Sequence, residues 1–202
     1  MRYMLKFIMI AVISSLPLSC VYRNFPSNQL PQIENLQPSK DGEMSYDATY
    51  WISVKFRDTF IIQDYLPNYK SFVTKQFTST LISSGHFSSL SPFVSLERQG
   101  DMTIEVHWID DINSLAKAMN FVSGLMLSIV PSWSTIKTNI MVKVKTIYGK
   151  EKNYQLEDSI TTIYWLPIAL VPNTISEDDL NINMWKNLIL KMREDGIFEH
   201  NR

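Results

Sequence analysis

From Met119 to Trp133 the chain reads MNFVSGLMLSIVPSW, uncharged throughout and ending on Pro-Ser-Trp. Outside the N-terminus no other stretch is as apolar. A helix that spans a bilayer needs about 20 apolar residues, whereas about 10–14 suit a buried helix or an interfacial segment. Gly124 and Pro131 also argue against one continuous helix through it. Any fold for this chain must bury the run or turn it towards an apolar surface.

The 202 residues, 45% hydrophobic and 19% charged, supply one globular domain with a core of ordinary size. The N-terminus stands apart from it. Arg2 and Lys6 form a basic segment, Phe7 to Leu16 a short apolar one, and LPLSC follows. This is the layout of a secretory signal. Cys20 is the single cysteine, so an exported chain spends none on internal disulfides and keeps its one thiol at the cleavage site. Without Arg2 and Lys6 there remain 17 basic and 20 acidic residues. That balance offers no basic excess for nucleic acid.

Ser19-Cys20, flanked by Leu16 and Leu18, resembles the lipobox of bacterial lipoproteins, with Pro17 where that family usually has Leu. The resemblance implies a signal peptide over 1–19 and a covalent diacylglycerol with acyl chains such as palmitate on Cys20. No other cofactor is implied. At about 0.8 kcal/mol per buried methylene, more than one chain anchors durably. Val21 in place of Asp implies sorting to the outer membrane, facing the periplasm. An ordinary signal peptide with a chance Cys is the competing reading.

Residues 20–46 are rich in Pro, Asn, Ser and Gln, and their composition predicts a flexible tether, with Leu30, Ile33 and Leu36 available to pack on the domain. The domain, 47–202, opens with a strand over about 49–60, where Tyr50, Ile52, Val54 and Phe56 alternate with polar residues. Pro67 suits the first turn of a helix to about Ser84, with Tyr69, Phe72, Val73, Phe77 and Leu81 on one stripe and Gly85 at its end. Phe93–Glu97 and Met102–Trp108 read as strands joined by a hairpin loop at Arg98–Asp101. Asp110 and Asp111 read as N-caps of a second helix leading into the apolar run.

A long hairpin is predicted next, Thr138–Ile147 returning as Asn153–Trp165 around Tyr148–Glu151. Ser176 and Asp179 match a capping box for a last helix to about Asp195, with Leu180, Met184, Trp185, Leu188, Ile189 and Met192 inward and Gly196 closing it. The expected fold class is α+β, a two-layer domain with a mainly antiparallel sheet and about three helices packed on it.

The hairpin has a further consequence. Pairing its strands brings Trp133, the end of the first apolar run, beside Trp165 at the start of a second, IYWLPIALVP. Phe121, Leu125, Leu127, Ile129, Trp133, Trp165, Leu166 and Ile168 are therefore the candidate partner- or membrane-facing residues. Alternatively the two runs pack across each other as core.

Catalytic chemistry is thin. His86, His107 and His200 are scattered, and no HExxH pair, phosphate loop or nucleophile elbow occurs. Glu105, His107, Asp110 and Asp111 could be arranged as metal ligands, but Glu105 and His107 alternate with Ile104 and Val106 as the polar face of a strand. No metal and no enzyme activity are expected.

Leu81-Ile82-Ser83-Ser84-Gly85-His86-Phe87 resembles the helix ending Leu-x-x-Ser/Ala-Gly-x-Phe of small envelope-lipoprotein domains. These include the lipopolysaccharide-assembly, penicillin-binding-protein activator and curli-secretion types. The resemblance covers about residues 49–110, and the run at 119–133 has no counterpart in it. It implies a non-enzymatic accessory or assembly lipoprotein that binds an envelope protein partner at the outer membrane. The alternative is a lipid or glycolipid carrier using segments 119–133 and 163–172.

Overall fold

A computed structural model describes residues 22–27, 29–37, 43–57, 66–93, 100–112, 116, 119, 122, 131–165, 167–168, 171–172 and 176–199. The signal segment 1–19 and Cys20 lie outside the described residues. The elements in chain order are β1 (Tyr22–Pro26), β2 (Tyr46–Phe56), α1 (Leu66–Ser83), β3 (Phe87–Pro92), β4 (Met102–Ile112), β5 (Ser132–Thr146), β6 (Glu151–Tyr164) and α2 (Glu177–Glu194).

The six strands form one sheet in the order β1-β6-β5-β4-β2-β3. β1 with β6, β6 with β5, and β5 with β4 pair antiparallel. β2 lies between β3 and β4 and runs parallel to both. This corrects the expected mainly antiparallel sheet with about three helices: the sheet is mixed, and two helices are formed among the described residues.

The expected strand Phe93–Glu97 and its loop fall mostly outside the described residues; the described strand before β4 is β3, and β2 separates the two. The physical reason is the crossover. Parallel strands need a long connection, and α1 provides it between β2 and β3. Gly85, with φ 77°, closes α1 in a left-handed conformation that favours glycine.

Both helices bury the stripe their sequences predict. Val73, Phe77 and Leu81 of α1 are fully enclosed, as are Met184, Trp185, Leu188, Ile189 and Met192 of α2. Ser176 and Asp179 form the reciprocal capping box at the start of α2. The helices meet edge-to-face through Phe77 and Trp185, with centroids 5.1 Å apart, and Trp185 also packs on Trp108 of β4 at 5.2 Å. The two helix ends converge as well. Phe198, just past α2, stacks on His86 at 4.0 Å and meets Phe87 edge-on at 5.8 Å.

The reading of Asp110 and Asp111 as helix caps is overturned, because β4 continues through both to Ile112. Strand alternation turns Asp110 inward with Trp108 and Asp111 outward. Buried Asp110 accepts hydrogen bonds from Trp108 Nε1 at 2.8 Å, Tyr69 Oη at 2.8 Å and Thr138 Oγ1 at 2.7 Å. Burial raises its pKa above the ordinary carboxylate value, and the three donors pull it back in part. Beyond β4, Ala116, Met119 and Val122 have helical backbone.

The segment expected to be a tether is corrected too, since its described residues belong to the domain. β1 is an edge strand, and Leu30 joins the core. Asn183 and Asn187 of α2 donate to the Pro31 carbonyl at 3.1 and 3.0 Å. Lys186 Nζ reaches the carbonyls of Ile33 and Glu34, both at 2.8 Å. Glu43 receives two bonds from Arg193, at 2.7 and 2.9 Å.

Two stability predictions arise from these buried polar groups. Asp110→Ala leaves three donors on three elements without their acceptor. We expect a loss of about 3 kcal/mol in urea unfolding, since each such buried donor costs about 1–3 kcal/mol. A loss below about 1 kcal/mol would mean that water replaces the carboxylate.

The second concerns His86, whose ring is fully buried with no hydrogen-bond partner at either nitrogen among the described residues, Glu43 Oε2 lying 3.8 Å from Nδ1. Burial pushes its pKa below the ordinary 6.5, while Glu43 pulls it up and Arg193 pushes it down. A depressed folded-state value favours the neutral ring. The stability this provides is present above pH 6.5 and is lost as pH falls through 6.5 towards the folded-state value. His86→Phe keeps the stack on Phe198 and should flatten that decline in urea midpoints measured across the same pH range. An unchanged slope would exclude His86 as its source.

Candidate functional site

β5 and β6 form the long hairpin, closing at Gly149 with φ 82°. Pairing continues from Lys145 opposite Glu151 to Ser132 opposite Tyr164. Trp133 stands opposite Ile163, so the last residue of the first run lies beside the first residue of the second. β1 extends the same row, with Tyr22 opposite Tyr164 and Arg23 opposite Ile163. The Tyr22 and Tyr164 rings lie 5.7 Å apart. Arg23 Nε donates to the Val171 carbonyl at 2.5 Å, which holds the second run against β1.

This end of the sheet is aromatic and open. Trp133 is 65% exposed, Tyr22 48% and Trp165 41%. Val171 is exposed as well, whereas Ile168 is buried. The candidates Phe121, Leu125, Leu127, Ile129 and Leu166 lie outside the described residues. Of the positions singled out from the sequence, Trp133 and Trp165 are exposed at the same end of the sheet and Ile168 is turned inward. Tyr22 and Arg23 were missed. Their one available signal was the pair of aromatics in VYRNF, directly after Cys20.

Trp133 points from the sheet face that the described helices leave uncovered. Strand alternation puts Thr135, Lys137 and Met141 on that face, with Glu105, His107 and Asp111 of β4 and Trp51 of β2. Beside Trp133 a depression of about 300 Å³ is lined by Asp111, Ala116, Ser134, Thr135 and Lys137. Arg57 lies 3.5 Å from Asp111, but both are well exposed, so water screens the pair. A second depression of about 320 Å³ lies at the far end of the same face, with Glu105, Lys143 and Lys145 among its walls.

Among the described residues, those with catalytic or metal-binding chemistry do not converge. His107 Nδ1 lies 2.9 Å from Ser53 Oγ, and its ring meets Trp51 edge-on at 5.3 Å. Glu105 and His107 face outward, while Asp110 is sealed in the core. Among the described residues no group of three His, Cys, Asp or Glu is placed to hold a metal, and no helix is long and apolar enough to cross a membrane.

Among the described residues the geometry defines a fold with both helices on one face of the sheet, the other face left uncovered by them, and an aromatic end. Among solved structures it is similar to a Helicobacter pylori homologue of a neuraminyllactose-binding hemagglutinin. That match has a TM-score of 0.40 and 11% identity over 83% of this chain and 89% of that one. It is also similar to a minor lipoprotein from Acinetobacter baumannii, with a TM-score of 0.35 and 9% identity over 79% and 98%. No family model and no curated protein sequence matches the chain. Likeness at these scores carries no conclusion about what this chain binds.

Proposed function

We propose that this is a non-enzymatic accessory lipoprotein, anchored through Cys20 at the periplasmic face of the outer membrane, that binds an envelope protein. The observation that carries the reading is the joint exposure of Trp133, Trp165 and Tyr22 at one end of the sheet. Large apolar rings left in water at one place mark an interaction surface. The N-terminal layout with Cys20 and Val21 supports export and lipidation. The outward residues with possible chemistry are spread over a strand face, and the buried carboxylate is used in packing. Both favour binding over catalysis. The carrier alternative gains no support from the two depressions, whose walls carry Lys, Asp and Glu and suit polar groups better than acyl chains.

The anchor is tested by Cys20→Ala, which should move the protein from the membrane fraction to the soluble periplasm. Unchanged fractionation sinks lipidation as the attachment. The partner is tested separately in the parent cell. A photoreactive residue placed at Met141, on the open face, should capture one dominant envelope protein. A diffuse scatter of products would count against a specific partner.

A further inference from the structure

We infer that the aromatic end of the sheet docks directly into the lipid headgroup layer, so that the domain stands on the membrane and does not hang from a tether. This rests on the anchored reading above and names what Trp133, Trp165 and Tyr22 meet. Exposure alone does not choose this end. The opposite end, at the β5–β6 turn, also exposes Ile147 and Tyr148.

What chooses is the reach of the chain. β1 begins at Tyr22, two residues after Cys20. Two extended residues cover at most about 7 Å, about the depth of one headgroup layer. Tyr22, Tyr164 and Ser132 stand in one row across β1, β6 and β5. At about 4.8 Å per strand that row is about 10 Å wide. A lipidated Cys20 therefore brings Tyr22, Trp133 and Trp165 to the bilayer surface together. The turn at Ile147 is fourteen residues along β5 from Trp133, or about 46 Å, and Cys20 cannot bring it there.

The residue types agree with that placement. Tyr and Trp are favoured at the water–lipid boundary, where the ring is apolar and its polar atom stays hydrated. Arg23 sits beside them, with its head group bonded to Tyr22 and Val171 carbonyls. The open face carrying Trp51 and Met141 then rises away from the lipid. It stays accessible to the envelope partner.

Trp51 supplies an internal control. It pairs with Glu105, which pairs with Lys143, ten residues along β5 from Trp133 and about 33 Å from it. The test uses the full lipidated protein, purified from membranes and placed in phosphatidylethanolamine–phosphatidylglycerol vesicles with brominated acyl chains. Tryptophan emission should be quenched relative to unbrominated vesicles. Trp133→Phe and Trp165→Phe should each remove part of that quenching and together abolish it. Trp51→Phe should leave it unchanged. Circular dichroism checks that each variant is folded, and mass spectrometry reads the acyl mass on the Cys20 peptide. Acylated protein with no quenching, or with quenching indifferent to both substitutions, overturns docking while the anchor stands. Lack of acyl mass on Cys20 overturns the anchor and this placement with it.

Discussion

The Asp110 carboxylate is the interaction on which the packing of both layers turns. It lies in β4, opposite Thr138 of β5, and collects donors from both strands and from Tyr69 of α1. A charge sealed from water is costly unless its lone pairs are used. Here the three bonds use them, and each fixes one element relative to the others. Trp108, oriented by its bond to Asp110, is the ring on which Trp185 of α2 packs. One carboxylate thus orients α1 directly and α2 through a single side chain. Burial also drives the Tyr69 phenol pKa upward, with neighbouring Asp110 adding to it, which keeps Tyr69 a neutral donor to that carboxylate.

The aromatic end exists because of a mismatch in lengths. β5 and β6 have 15 and 14 residues, so at about 3.3 Å per residue they run for about 46–50 Å. Each helix has 18 residues and spans only about 27 Å. No straight helix of that length can cover the hairpin from end to end. β1 is short and pairs only with the last residues of β6, which widens the sheet where Trp133 and Trp165 lie. The run from 119 to 133 enters β5 there, and the segment after 165 leaves there.

Local patterns were legible from the sequence, and long-range partners were not. The β5–β6 hairpin, the stripes of both helices, the Ser176–Asp179 box and the closing glycines each follow from contacts within a few residues. The parallel placement of β2 between β3 and β4 does not, because alternation shows a face and not a neighbour. Asp110 misled because an Asp before an apolar stretch has the chemistry of a cap. Its role as a buried acceptor depends on Tyr69 and Thr138, which are far away in the chain. β1 was hidden for a similar reason. An edge strand tolerates Pro26 and polar residues, and its partner, β6, is more than 130 residues away. Of the candidate site, the placement of Trp133 and Trp165 at one end of the hairpin was legible because it needed only the β5–β6 pairing. The arrival of Tyr22 and Arg23 beside them was not.

That late-arriving strand changes the meaning of the apolar run. A sheet of this length has two ends, and both carry exposed apolar residues. Nothing in the run itself ranks them. The antiparallel pairing of β1 with β6 puts the first residue of the strand, Tyr22, beside the last residue of its partner, Tyr164. Parallel pairing over the same residues would turn Tyr22 towards Pro26's present position and move an anchor attached before it further down the sheet. The direction of one five-residue edge strand therefore decides which end of the domain an N-terminal lipid would hold, and it is the end with the tryptophans. Burying MNFVSGLMLSIVPSW entirely as core would leave that coincidence without a cause, whereas the proposed anchor, holding a bilayer within two residues of β1, would account for the exposed end of the run and for its position together.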